Sequence, residues 1–352
     1  MPKIFLIIPH NSPSGGTKVA NQVVNLFREK NFASFLVIAS AEPKRADFMK
    51  KPASVIGLAE FKNTCAAEDI VITFWQQQDI FAAIKNCPAK RKIFWQHGII
   101  IPRYADFNGE RYFQSGVFTD FWNVSAACAS YIKERYALPE VKIVHPFFDD
   151  DTLLEYFAKK EQYQREGILI LRRRGQEAIP DIISLFPEQK ITILPKTFSD
   201  SELYEQLIRN KFFISTDNGI GGKLLIKNKS HRWLKTVKRM ARNIFKTEKA
   251  GQLRWVKPRK NLLGFPVTAA EAAWLGATVI GFAMGGGLEW MSKDNMYLSA
   301  DENIDSLLEK IKEALSAAPE ELAAKTKLAS ASVQRFSREN TWKQLAENLK
   351  LR

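Results

Sequence analysis

Short, unbroken runs of apolar residues recur along the chain, and the stretches between them carry apolar residues at helical spacing. In the first half the β-type runs are KIFLIIP, ASFLVIA, DIVITFW, RKIFWQH, SAACA and VKIVHPFF. Between them lie helical stretches such as GGTKVANQVVNLFREKN, where Val19, Val23, Val24 and Phe27 share one face, and later DIFAAIKNC and SYIKERY. A strand that reads as a continuous apolar run is buried on both faces, and only helices packed above and below a parallel sheet bury it that way. The pattern closes near Asp150, passes through a linker helix at about 151–163, and restarts with GILIL, AIPDIISLF, KITILP, SELYEQLIRN and KFFIST. It resumes later with TAAEAAWLG, ATVIGF, NMYLSA and a helical tail from about Asn303. The expectation is an α/β chain of two domains, 1–150 and 151–330, followed by a C-terminal helix over 331–352. Ligands of such sheets bind beyond the carboxyl ends of the strands, which puts a site in the cleft between the halves.

At 352 residues the chain is longer than one core usually supports, and its 24 Phe and 8 Trp supply ample apolar material for two. Three scattered cysteines, Cys65, Cys87 and Cys128, have neither disulfide-framework nor zinc-ligand spacing. The first apolar run, Ile4 to Ile8, is too short for a signal peptide or a membrane span, so the reading is a first strand and a cytoplasmic protein.

Charge is distributed unevenly. The net charge is +14, and residues 217–262 hold fourteen Lys and Arg against only Asp217 and Glu248. This basic segment separates KFFIST from LLGFPVTAAEAAWLGATVIGF, two pieces that read as consecutive parts of one domain. Within it, Trp233, Leu234, Val237, Met240, Ala241, Ile244 and Phe245 make an apolar stripe at helical spacing, flanked by Arg232, Lys235, Lys238, Arg239, Arg242 and Lys246. Two readings are open: residues 230–246 lie on an anionic membrane, or the stripe packs on its own domain. The apolar stripe and the lack of a nucleic-acid motif speak against nucleic acid as the partner.

Several residues at the expected cleft could carry chemistry. Gly15 and Gly16 join the first strand to its helix, where the backbone can approach a ligand and the helix N-terminus offers free N–H groups. The loop matches neither the dinucleotide nor the Walker pattern, and a tight βα turn explains it equally well. His97 ends the run RKIFWQ and could donate to a sugar hydroxyl or a phosphate oxygen. Arg172, Arg173 and Arg174 end the first strand of the second half, with a permanent charge suited to a diphosphate. Thr268 and Glu271 have capping-box spacing; Glu271 either caps its own helix or accepts from the vicinal hydroxyls of a ribose, with Gly285, Gly286 and Gly287 near the phosphates. No metal-binding acidic triplet stands on a plausible loop, so no metal or other cofactor is expected.

The stretch LLGFPVTAAEAAWLGATVIGFAMGGGLEWM resembles the donor-site motif of the GT-B glycosyltransferases, in particular the large retaining nucleotide-sugar-dependent family, glycosyltransferase family 4-like. SGGTKVANQVVNLF is similar to that family's glycine loop and first helix, ACASYIKERY to its late N-domain segment, and DSELYEQLIRNKFFIST to the strand before the donor loop. FSREN and TWKQLAENL resemble its closing helix, which crosses back to the first domain.

The resemblance implies two Rossmann-like domains, with the acceptor on the first and a nucleoside-diphosphate sugar on the second. It places Gly15 and Gly16 near the transferred sugar and phosphate, His97 facing the sugar, Arg172 on the phosphates and Glu271 on the ribose. Glu271 is the second glutamate of the family's E-x7-E motif, and the first falls at Leu263. That departure leaves three readings: another residue compensates, the donor differs, or activity is impaired. The activity expected is sugar transfer, with retention, to a glycan or lipid-linked acceptor at the membrane face. The alternatives are a weakened GT-B protein that binds nucleotide sugar as an assembly partner, and a GT-B sugar epimerase.

Overall fold

The computed structural model describes residues 2–12, 14–40, 48–75, 77–97, 110–172, 178–216, 264–283, 285–299 and 304–351. The basic segment 217–262, with the stripe at 230–246, lies outside the described residues, as do Arg173, Arg174 and Leu263.

Two parallel sheets organise the chain. The first contains β1 (Ile4–Ile8), β2 (Ser34–Ile38), β3 (Val55–Gly57), β4 (Ile70–Thr73), β5 (Arg91–Gln96), β6 (Asp120–Asn123) and β7 (Lys142–Ile143). The second contains β8 (Ile168–Leu171), β9 (Ile191–Leu194), β10 (Phe212–Ser215), β11 (Thr278–Gly281) and β12 (Tyr297–Leu298). The strand orders are β3-β2-β1-β4-β5-β6-β7 and β12-β11-β10-β8-β9. Each sheet therefore reverses its winding once, beside β1 and β4 in the first and beside β8 and β10 in the second. Crevices at such reversals open beyond the carboxyl ends of the strands.

The apolar runs bury both their faces, as parallel strands must. Ile4, Leu6 and Ile8 face Val23 and Phe27 of the glycine-loop helix Gly15–Glu29. Phe5 and Ile7 face Phe61 and Ile80 on the opposite side. One run breaks the pattern. SAACA is no strand: Ser125 caps a helix, Ala126–Tyr136, by accepting from the Cys128 amide at 3.3 Å. The strand is the preceding DFWN, whose Trp122 pairs in register with Trp95 of β5. A serine before small residues is a helix start, and this capping signal outweighs the apolarity of Ala and Cys.

The helical tail is three helices, Ile304–Ser316, Pro319–Val333 and Arg338–Leu349, broken where Pro319 and Ser337 start new ones. The last packs on the first sheet. Leu345 and Leu349 belong to the same core as Ile4 and Leu6, and Trp342 sets its ring edge against Phe27 at 5.9 Å. Arg91 holds the end of this helix through the Leu349 carbonyl at 2.7 Å, while Arg338 at its start pairs with Asp151 at 2.9 Å and Glu29 at 3.2 Å. Burying two leucines on a remote sheet contributes about 3 kcal/mol or more, enough to bind the chain's end to its beginning.

Candidate active site between the two sheets

The site is built from strand ends. After β1 the chain turns through Ser14, whose hydroxyl caps the glycine-loop helix by accepting from the Thr17 amide at 3.1 Å. A Cβ on Gly15 would meet nothing within 4 Å among the described residues. On Gly16 a Cβ would stand 2.9 Å from Trp75 Cη2, so this glycine is required by packing against the residues that follow β4.

His97 follows β5 and stacks on Phe74 with ring centroids 3.9 Å apart. Its Nε2 is buried and has no hydrogen-bond partner among the described residues. Burial among aromatic rings pushes its pKa down to about 3, so the imidazole is neutral at physiological pH. A neutral ring offers a hydrogen bond to a hydroxyl but no charge to a phosphate.

Arg172 stands at the end of β8, its amide bonded to the Leu194 carbonyl at 3.0 Å. Its side chain is exposed and makes no ion pair with the described residues. It is a permanent positive charge at the winding reversal of the second sheet.

The helix Val267–Leu275 corrects one expectation. Its N-cap is Pro266, and no side chain caps it, so Thr268 and Glu271 form no capping box. Pro266 starts the helix two residues earlier than the spacing implied, which moves Thr268 inside the helix and leaves Glu271 beyond capping reach. The same signature does operate at Ser199, which forms a complete box with Glu202 at the start of the helix Asp200–Arg209.

Glu271 is instead buried, 1% exposed, and engaged across the cleft. Lys18 Nζ, from the first domain's glycine-loop helix, donates to Glu271 Oε1 at 2.5 Å. The Tyr204 hydroxyl donates to the same oxygen at 2.9 Å and accepts from Lys18. Asp200 and Asp150 complete the enclosure, 3.3 and 3.8 Å from Lys18 Nζ. Burial alone would lower the Lys18 pKa; the three carboxylates outweigh it and hold the ammonium above the ordinary lysine range. Burial pushes Glu271 up and Lys18 opposes it, leaving the carboxyl above its usual range.

Gly285, Gly286 and Gly287 form a short 3-10 turn, and all three are buried. A Cβ on Gly286 would stand 2.8 Å from Phe265 Cδ2 and one on Gly287 2.8 Å from Met291 Sδ. These two glycines are there for close packing of the turn on the 264–266 segment, so any phosphate contact falls to backbone amides. The turn ends at Glu289, which accepts from the Ala126 amide at 2.6 Å and His145 Nε2 at 2.8 Å.

The structure thus places Gly15 and Gly16 after β1, His97 after β5, Arg172 after β8 and Gly285–Gly287 after β11, with Thr268 and Glu271 on the helix that precedes β11. Lys18, Tyr204, Asp200 and Glu289 join them, and sequence spacing singled out none of these four. Lys18 follows Gly16 by two residues, the one local hint.

No protein-family model matches the sequence, and no curated protein matches it. Solved structures do. TarM of S. aureus, in complex with fondaparinux, α-GlcNAc-glycerol and UDP, matches over 99% of both chains with a TM-score of 0.68 and 9% identity. The fold is GT-B. HepE of Anabaena in complex with UDP matches with a TM-score of 0.65 and 13% identity over 99% of this chain and 100% of that one. An α-glucosyltransferase bound to UDP and a 13-mer DNA matches with a TM-score of 0.61 and 14% identity, covering 99% of this chain and 98% of that one. At such identities the GT-B likeness is one of architecture. No helix among the described residues is long and apolar enough to cross a membrane.

Proposed function

We propose that the chain is a glycosyltransferase that moves a sugar from a nucleoside-diphosphate sugar to a glycan or lipid-linked acceptor, with retention at the anomeric carbon. The observation that carries this reading is the GT-B frame, in which Glu271 of the second domain is bonded to Lys18 of the glycine-loop helix; the positions of neutral His97 after β5 and of Arg172 after β8 support it. UDP in the solved structures of TarM, HepE and the α-glucosyltransferase supports a nucleoside diphosphate as the donor's handle.

In this scheme the first domain, 1–150, takes the acceptor and the second, 151–330, the donor. The bond between the anomeric carbon and the diphosphate oxygen breaks, and negative charge grows on the leaving diphosphate. Arg172, with Arg173 and Arg174 beside it, meets that charge, as do backbone amides of the 285–287 turn; such fixed charges and dipoles need no reorganisation as the reaction proceeds. His97 bonds a hydroxyl of the transferred sugar, and the carboxylate of Glu271 accepts from the ribose. Residues 230–246 hold the donor domain at an anionic membrane face, where a lipid-linked acceptor is found.

Leu263, where the resemblance implies a carboxylate, favours a second reading: a GT-B protein that binds nucleotide sugar without efficient turnover and serves as an assembly partner. Incubation with a panel of nucleotide sugars and lipid extract, following release of nucleoside diphosphate and glycosylated product, separates the two. Acceptor-dependent release supports transfer, and binding without release supports the assembly partner. A sugar epimerase would alter the donor without an acceptor.

A further inference from the structure

Around Lys18 one ammonium is enclosed by three carboxylates from three parts of the chain. Asp150 stands at the junction of the two domains, where it caps the helix Asp151–Lys159 and accepts from Gln22 at 2.8 Å. Asp200 and Tyr204 come from the helix Asp200–Arg209, and Glu271 from the helix Val267–Leu275. The glycine-loop helix faces this group with Lys18 and Gln22. Lys18 and Glu271 are 253 residues apart, and their bond spans the cleft.

Two features set this apart from an ordinary structural ion pair. A buried pair has little net stabilising value, and gathering three acids around one base makes the balance worse. The hydrogen bonds are also one-sided: Lys18 and Tyr204 both donate to Oε1 of Glu271, and no described residue donates to Oε2.

We propose that Lys18 and Tyr204 are positioning residues of the nucleotide site: they saturate Oε1 of Glu271, present Oε2 as the acceptor for a vicinal diol, and do so only when the two domains are closed. This rests on the nucleotide-sugar reading given above. Lys18 approaches from the first domain while Tyr204 and Glu271 belong to the second, so opening the cleft withdraws the ammonium. With the cleft closed but the ammonium removed by substitution, a carboxyl buried beside Asp150 and Asp200 takes up a proton and loses acceptor strength; with the cleft open, Oε1 is left without Lys18 and the carboxylate is no longer held in place. Grip on the diol and closure of the cleft thereby become one event, and a ligand that needs the first stabilises the second.

The test is calorimetric titration of the full chain with UDP, GDP and ADP from mildly acidic to mildly alkaline pH, since a buried carboxyl deprived of its counter-ion titrates above the usual carboxylate range. The parent is expected to bind at least one of the three with little change over this range. Tyr204→Phe should weaken binding about tenfold, the worth of one hydrogen bond to a charged group. Lys18→Gln should weaken it further and recover as pH rises and Glu271 ionises, and Lys18→Arg should retain most of the affinity. In a Glu271→Gln background the Lys18 and Tyr204 substitutions should add little.

A role in stability alone would lower the melting temperature of Lys18→Gln and Tyr204→Phe while leaving affinity and its pH profile as in the parent, and that result overturns the proposal. If Lys18→Gln does not fold, Tyr204→Phe decides, because it removes only a hydroxyl. A parent that binds no nucleoside diphosphate at all overturns the nucleotide-sugar reading itself, an outcome distinct from a binding parent with indifferent variants.

Discussion

His145 donates through Nε2 to the Glu289 carboxylate at 2.8 Å, and that bond joins the last strand region of the first domain to the glycine turn of the second. Gln344 of the closing helix lies 3.0 Å from the other ring nitrogen, which fixes the ring from the far side, and the Ala126 amide holds Glu289 from a third direction. Burial opposes ionisation of Glu289, but the bonds from His145 and Ala126 prevail and hold its carboxyl below the usual range.

Glu289→Ala should therefore cost about 1–3 kcal/mol of stability at neutral pH, the range for removing one partner of a charged hydrogen bond. The sign with pH follows from the lowered folded-state pKa. The contribution is fully present above the ordinary carboxylate range and is lost as pH falls through the folded value. Denaturant melts of parent and variant at neutral and strongly acidic pH should show the gap between them closing in acid.

Gly15 and Gly286 should respond differently to alanine. Gly15→Ala should leave stability unchanged, since a Cβ there meets nothing within 4 Å among the described residues, yet reduce nucleotide-sugar binding by intruding on the glycine loop. Gly286→Ala would set a methyl 3.0 Å from the Phe265 Cα, where backbone has to move, and should destabilise by about 1–3 kcal/mol. Thermal melts paired with ligand titrations check both.

How much of this was legible in the sequence depended on whether the cause was local. Ile4 to Ile8 read as a buried strand because burial on both faces writes itself into consecutive residues. Ser125 caps a helix, but the apolar Ala and Cys that follow it read as a strand, because a cap signal is one residue long and apolarity is shared by several. The pairing of Thr268 with Glu271 had the right spacing, but Pro266 sets the helix start. Glu271 itself stood out through a family motif, whereas its partner Lys18 lies 253 residues away and no spacing rule connects them. Tyr204 and Asp200 were hidden for the same reason.

Arg172→Ala should lower turnover by on the order of 3 kcal/mol in the transition state, about a hundredfold, if its charge meets the leaving diphosphate. Because the side chain is exposed at the end of β8, the melting temperature should not move. Rates measured at saturating donor separate a loss of chemistry from a loss of binding.

Residues 230–246 should carry the protein to vesicles containing acidic lipid and leave it free of neutral ones. The cations contribute about 1 kcal/mol each near such a surface, and burial of Trp233 and Phe245 adds apolar free energy that salt does not screen. Flotation of the variant with both aromatics changed to Ser should show weaker attachment even at low salt. A parent that stays in the soluble fraction with acidic lipid would return the stripe to packing on its own domain.

The most direct measurement of the central claim is a crystal structure of the chain with an intact nucleotide sugar bound. The account predicts the ribose hydroxyls on Oε2 of Glu271 with Lys18 still on Oε1, the diphosphate beside Arg172, and the sugar between His97 and Gly15. A nucleotide sugar held elsewhere on the molecule, with Glu271 touching only Lys18 and Tyr204, would contradict it.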